Sequence, residues 1–322
     1  MLFPLGKNFV NRNRVVLVTG GAGFIGKAIV NYLINQGLNV IVIDNCSRLH
    51  AKSYKNKNLK FIKGDVCNNK IFYKLKKYNK NISCVIHLAY INGTKNFYNK
   101  PLDVLNVAVK GLINTFDYIK KNSIKEVYLA SSSEVYHQPK SFPTRENVPL
   151  VIPDIFNPRY SYSCGKILSE VYGINFARKY LDKLIIFRPH NVYGKNMGND
   201  HVIPEIIKKI KKLIKIKKKE ILIQGKGDEV RSFMHIDDFI NAFHIIFTKT
   251  KGIDVFNLGN DEPIKIKKLI NIILKIYKIK LLIKFGKPAI GATKKRHPDI
   301  TKIRKLGYKQ NIYIEKGIKL LS

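Results

Sequence analysis

Thr19-Gly20-Gly21-Ala22-Gly23-Phe24-Ile25-Gly26 follows directly on the apolar run 14–18 (RVVLV) and leads into 24–35, where apolar residues recur at helical spacing. A strand, a glycine-rich turn and a helix in that order make a phosphate cradle. Glycine lets the backbone turn tightly and approach a pyrophosphate, which rests on the N–H groups at the helix start. Gly20, Gly23 and Gly26 carry the turn, and Phe24 and Ile25 open the helix. The next apolar run, 39–43 (NVIVI), ends at Asp44, 24 residues after Gly20. A carboxylate there accepts hydrogen bonds from the adenosine ribose and repels a 2′-phosphate, so the expected cofactor is NAD in preference to NADP. A turn used only for packing is the alternative, and the flanking strand and helix argue against it. Gly64-Asp65-Val66 follows the third apolar run. Asp65 there either reaches the adenine amino group or caps the next helix.

Outward from this turn, short apolar runs at 59–62, 84–88, 126–129 and 184–187 alternate with helical patterns, one of them started by Pro101 and running to 121. Such alternation implies right-handed βαβ units and a parallel sheet. Beyond 187 the pattern turns irregular, with glycines at 194, 225, 227 and 259. The expected architecture is α/β: a doubly wound parallel sheet with a smaller interleaved α/β substrate-binding lobe. Residues 1–188 plus about 229–256 are assigned to the dinucleotide-binding domain, and about 189–228 and 257–322 to the second lobe. No internal repeat is present.

Composition bounds the function. With 322 residues, 45% of them hydrophobic, the chain can bury a large core. No apolar run is long enough for a bilayer, and the opening MLFPLGKNFVNRNR lacks the apolar centre of a signal peptide. Cys46, Cys67, Cys84 and Cys164 show no CxxC pairing and no clustering with histidine, which implies neither a metal site nor a disulfide framework. A reducing cytoplasm is the expected location, with no membrane partner. The net charge of +37 would suit a polyanion, yet only ten of the 59 basic residues are arginine. Phosphate and base recognition favours guanidinium. Lysine, isoleucine and asparagine share A/T-rich codons, so codon bias on solvated helix faces is preferred over a nucleic-acid surface. The densest stretch, Lys208 to Lys219 (KKIKKLIKIKKK), reads as an amphipathic surface helix.

A second constellation is Tyr162-Ser163-Cys164-Gly165-Lys166 at the head of a helical stretch. Residues four apart share a helix face. The Lys166 ammonium there can stabilise a Tyr162 phenolate, making it a base near neutral pH. The upstream run Ala130-Ser131-Ser132-Ser133-Glu134-Val135-Tyr136 places hydroxyls, Ser132 among them, at the carboxyl end of a parallel strand, where ligands bind.

Together these segments resemble an extended short-chain dehydrogenase/reductase of the NAD-dependent nucleotide-sugar epimerase/dehydratase family, built on a Rossmann sheet. The matching pieces are TGGAGFIG (19–26), Asp44, GDV (64–66), HLAY (87–90), SSSEVY (131–136), YSCGK (162–166), RPHNVYG (188–194), HVIP (201–204), RSFMHIDD (231–238) and RHPDI (296–300). They run in family order over nearly the whole chain. The resemblance implies Tyr162 as catalytic base, Lys166 as its partner and ribose contact, and Ser132 as the hydroxyl on the sugar oxygen. It extends the cofactor contacts to Asn45, Val66, Leu88 and Ala89. Ser133, Asn191, His201, Val202, Arg231 and Arg296 would bind the nucleotide-diphosphate sugar. His190 and His235 read as structural. The family often has Ala at Tyr90, Gly at His137 and Pro at Lys195, so the shape of the sugar site is expected to differ.

The resemblance implies a transient 4-keto sugar and bound NAD, with sugar epimerisation as the leading reading. Glu134 keeps 4,6-dehydration and uronate decarboxylation open as alternatives. A non-catalytic NAD-binding or RNA-binding relative is the remote one. The 101–121 and 162–180 helices are expected to pair with their copies in a homodimer.

Overall fold

The computed structural model describes residues 14–47, 56–198, 201–288 and 291–321. The opening segment considered for a signal peptide lies, over 1–13, outside the described residues. Seven strands make one parallel sheet: β1 (Val15–Thr19), β2 (Asn39–Asp44), β3 (Leu59–Lys63), β4 (Ile82–His87), β5 (Glu126–Ala130), β6 (Lys183–Pro189) and β7 (Gly252–Leu258). Their order is β3-β2-β1-β4-β5-β6-β7. Chain direction across the sheet reverses between β1 and β4, and the crevice at that switch point is where a doubly wound sheet takes its ligand.

The principal helices are α1 (Phe24–Asn35), α2 (Ser161–Tyr180), α3 (Val202–Lys215), α4 (Ile236–Lys249) and α5 (Ile266–Ile276), with a composite helix over 101–121 before α2. Alternation along β1 sets the two cores. Val16 and Val18 join the layer with α1 and α4, while Val15 and Leu17 face the layer with Phe116 and Phe176. Phe239, Phe243 and Phe247 lie four apart on α4 and are all buried against the sheet. The 101–121 helix starts on Pro101, and its π-type segment Val107–Gly111 puts Gly111 beside Val66.

The seventh strand escaped the sequence reading. Its first half, Gly252–Asp254, is polar or exposed at the sheet edge, so no apolar run marks it. The lobe boundary also moves. Val230–Ser232, assigned above to the dinucleotide-binding domain, pairs instead with Pro263–Lys265 and Lys295–Arg296 in a separate small sheet. The chain returns toward the large sheet only with α4. The smaller lobe holds this sheet, the strand pair Glu220–Ile223 and Leu282–Phe285, and helices α3 and α5 over a core of isoleucines. The lysine-rich helix is shorter than its pattern. It ends at Lys215, and Lys217 takes a left-handed conformation (φ 52°) before the strand at 220. No helix among the described residues is long and apolar enough to cross a membrane.

Candidate active site

A cleft of about 320 Å³ opens over the carboxyl ends of β1, β2, β4 and β5, within the size range of small-molecule sites. The glycines of the first motif divide the labour. Gly20 has φ 73°, and a Cβ there would sit 2.6 Å from the Ala89 nitrogen, so the turn is pressed against the end of β4. A Cβ at Gly26 would sit 2.2 Å from the Gly20 carbonyl oxygen, which couples the turn to α1. At Gly23 an added Cβ meets nothing nearer than 3.4 Å. Its missing side chain leaves space on the cleft side instead. Gly23 is also the N-cap of α1, with no side-chain cap and no acidic residue in the first turn. An uncapped, acid-free helix start facing a cleft fits a pyrophosphate.

Asp44 ends β2 with one carboxylate oxygen accepting from Ala22 N (2.9 Å) and the other from Cys46 N (2.7 Å). Asp65 accepts from Cys67 N (2.8 Å) and lies 3.3 Å from Asn45 Nδ2. The following helix is capped by Asn68, not by Asp65. Gly20, Gly23, Phe24, Ile25, Gly26, Asp44, Asn45, Asp65, Val66, Leu88 and Ala89 all line the cleft. The residues present therefore fit NAD along the whole adenosine side.

At the other end, Tyr162 and Lys166 face the cleft one turn apart on α2, both buried. The Tyr162 ring stacks on Phe97 (centroids 4.6 Å) and meets Tyr90 edge-on (5.1 Å). Lys166 Nζ donates to the Ala130 carbonyl (2.7 Å). Burial pushes its ammonium down to about 7, with the Glu170 carboxylate opposing. A cation on that edge of neutrality can stabilise a phenolate and exchange a proton. Ser132 caps the turn Ser133–Tyr136, its Oγ accepting from Glu134 N (3.2 Å). Beneath this turn Ser131 Oγ donates to Glu170, which is also gripped by Arg188 through Nε (2.8 Å) and Nη2 (2.5 Å). His87, bonded to Thr19 Oγ1 (2.8 Å), is pushed down to about 3 by burial and stays neutral.

The smaller lobe closes the far wall with Asn191, Met197, His201 and Arg296. Asn191 takes a left-handed backbone (φ 41°), and its amide donates to the Ser232 carbonyl (2.9 Å) at the join of the lobes. Arg296 grips Glu134 in a bidentate pair, Nη1 to Oε1 and Nη2 to Oε2, each 2.6 Å. This pairing, with Arg159 at 3.8 Å, outweighs burial and holds the Glu134 carboxyl below its usual range.

Two residues expected to bind substrate are not on the cleft wall. Val202 is the exposed first residue of α3, and Arg231 spends its guanidinium on the carbonyls of Val230 (2.8 Å) and Thr293 (2.6 Å). His190 and His235 are buried, the first 3.1 Å from Asn257 Oδ1, the second capping α4. Lys195 is exposed, and His137 packs edge-on to Tyr160 (5.1 Å) away from the cleft. Tyr90, expected to alter the sugar site, does line the cleft, whereas Phe97, Arg159 and Glu170 were missed as site residues. Only Glu170 carried a signal, standing four residues after Lys166 and so on the same face of α2.

A dinucleotide cradle joined to a buried Tyr–Lys pair under a second lobe defines an NAD-dependent enzyme of the short-chain dehydrogenase class. Residues 16–259 match the NAD dependent epimerase/dehydratase family, and the chain belongs to it. It is 30% identical over 309 residues to a Methanocaldococcus jannaschii protein provisionally named a UDP-glucose 4-epimerase, covering 95% of this chain and 96% of the other. It is 29% identical to the UDP-glucuronate 4-epimerase of Thermodesulfobacterium geofontis, covering 94% and 93%. The crystal structure of UDP-glucose 4-epimerase from Thermotoga maritima, with UDP-glucose, superposes with a TM-score of 0.83 at 27% identity, covering 95% and 96%.

Proposed function

We propose that this protein is an NAD-dependent nucleotide-sugar 4-epimerase working through a transient 4-keto sugar. The observation that carries the reading is the buried Tyr162–Lys166 pair set against Ser132 in the same cleft as the glycine cradle. The relatives named as UDP-glucose and UDP-glucuronate 4-epimerases support the substrate class. NAD, when bound, supplies a reversible hydride acceptor. Tyr162 takes the proton of the sugar C4 hydroxyl, Lys166 lowers the cost of the phenolate, and Ser132 hydrogen-bonds the C4 oxygen. Asn191, His201, Ser133 and Arg296 hold the nucleotide diphosphate and sugar. Arg231 acts on the field around Arg296 from behind the wall. The ketone turns over in the cleft to offer its other face to the hydride that NAD, when bound, would return, and Tyr162 gives its proton back to the C4 oxygen.

Glu134 lies on the cleft wall and favours a lyase reading, dehydration or decarboxylation, as do relatives named as a 4,6-dehydratase and as decarboxylases. Its bidentate pairing with Arg296 holds its carboxyl below the usual range, and the preference for epimerisation rests on the relatives named as 4-epimerases. Incubation of the NAD-loaded protein with UDP-, GDP-, CDP- and dTDP-sugars, read by mass and NMR, tests the proposal. An isomer of unchanged mass is expected, and loss of water or CO₂ would overturn it.

The same reading makes the protein a homodimer in the cytoplasm. Leu102, Val109 and Ile113 on the 101–121 helix and Leu168 and Val171 on α2 are exposed aliphatics on neighbouring helices, which supports a helical dimer face. Free cysteines at 46, 67, 84 and 164 suit a reducing compartment.

A further inference from the structure

Two guanidinium groups meet one carboxylate at the wall of the cleft, with a third, Arg231, behind it. Arg296 holds both Glu134 oxygens at 2.6 Å, and Arg159 Nη2 stands 3.8 Å from Oε2. Burial, reinforced by the Arg296 charge, pushes Arg231 down to about 9. The side chains of Arg296, Arg159 and Glu134 are 9%, 11% and 24% exposed, so bulk water screens them poorly. Of the other ionisable neighbours, Glu229 offsets one positive charge. His137 is pushed below its usual range by burial and Arg296, Tyr160 is pushed above its own, and Glu229 is bound to the Lys226 and Gly227 N–H groups. The three arginines against Glu134 and Glu229 thus leave one positive charge in excess, which favours an anion such as a diphosphate. Arg296 also has a buried Nε with no hydrogen-bond partner among the described residues. Two of its N–H groups are committed to Glu134, a group on the opposite lobe, and one of these is shared with Thr293 Oγ1 (3.0 Å).

We propose that Glu134 is a placeholder anion: it pairs with Arg296 until the substrate's diphosphate displaces it, with Arg159 as the cation that retains Glu134 afterwards. This rests on the nucleotide-sugar reading above. Arg159 is a positioning residue here, acting through Glu134 and not on the ligand. The exchange makes Glu134 free of its strongest partner only when a diphosphate is bound. The Glu134–Arg296 pair also joins the large sheet to the smaller lobe, since Glu134 follows β5 and Arg296 lies in the small sheet.

The test is calorimetric titration of the NAD-loaded protein with UDP, dTDP, GDP and CDP, taking the tightest for all comparisons. Glu134→Gln removes the competing anion, and affinity is expected to rise about tenfold. Glu134→Asp, too short for the bidentate pair, is expected to fall between the two and carries the comparison if the Gln variant does not fold. Arg159→Gln should weaken binding in the wild-type background and leave it unchanged beside Glu134→Gln. Unchanged or weaker diphosphate binding on losing Glu134 would overturn the exchange while leaving the substrate class intact. Absence of binding by all four diphosphates would overturn the nucleotide-sugar reading and the exchange with it.

Discussion

The Lys166 ammonium lies 3.8 Å from the centre of the Tyr90 ring, against 5.9 Å to the ring of Tyr162. Tyr90 stands where the resembling family often has alanine, so the ammonium here is shared between two rings. Room for Tyr90 comes from Gly165. A Cβ at that position would lie 2.1 Å from the Tyr90 oxygen and 2.5 Å from Ala108 Cβ.

Gly165→Ala is therefore expected to destabilise the protein by about 1–3 kcal/mol, the scale of overpacking in a tight core. Tyr90→Ala in the same chain should recover part of that loss, the contact with Ala108 remaining. Urea denaturation of the two single variants and the double gives the coupling. Strictly additive effects would refute the idea that Gly165 serves Tyr90.

Lys166 also makes stability depend on pH. Its ordinary value of 10.5 is pushed down to about 7 in the folded protein. Between those values the unfolded chain holds a proton that the folded chain has lost, so this group's contribution improves as pH rises from about 7. Below that both states are charged and the penalty is complete. Chemical denaturation of cofactor-free protein at pH 7 and pH 9 should show wild type gaining stability relative to Lys166→Met. A difference that does not change with pH would mean the ammonium is not held near neutrality.

Tyr162→Phe is expected to reduce turnover at least ~10²-fold, since the epimerase and lyase routes both begin with proton removal at C4. Glu134→Gln separates those routes. A plain epimerase retains most of its turnover, whereas an enzyme working at C5 stalls with trapped NADH, visible by absorbance.

Asp44 is expected to set cofactor choice. Calorimetry is expected to give tighter binding of NAD than of NADP, and Asp44→Asn should narrow the gap by removing the repulsion of a 2′-phosphate. Wild-type protein that prefers NADP would contradict the assignment.

Val171 on α2 is 53% exposed and Leu102 on the 101–121 helix 73%. Light scattering at micromolar concentration should give a dimer mass for wild type and a monomer for Val171→Arg. A monomeric wild type would rule out the helical dimer face.

Much of the fold was legible because it follows local rules. Five of the seven parallel strands are buried on both faces and so show as apolar runs, while β3, at one edge with Lys60 and Lys63 exposed, was still readable from Leu59, Phe61 and Ile62. The seventh, half exposed at the sheet edge, has no such need and left no mark. The glycine turn and the Tyr162–Lys166 spacing were readable because backbone sterics and the 3.6-residue helical period act within a few residues.

What tertiary structure alone decided lies across long chain separations. The Glu134–Arg296 pair spans 162 positions, and neither residue carries a local sign of the other. Phe97 reaches the face of Tyr162 only because the helix before Pro101 packs beside the head of α2. Arg231 and Arg296 were indistinguishable as candidate anion ligands in the sequence. Packing separates them: one guanidinium is turned onto the 293–294 backbone and the other into the cleft. Periodicity and turn chemistry fix which face a side chain takes, because those forces are local. Which charge it then meets is settled only when two lobes close around one carboxylate.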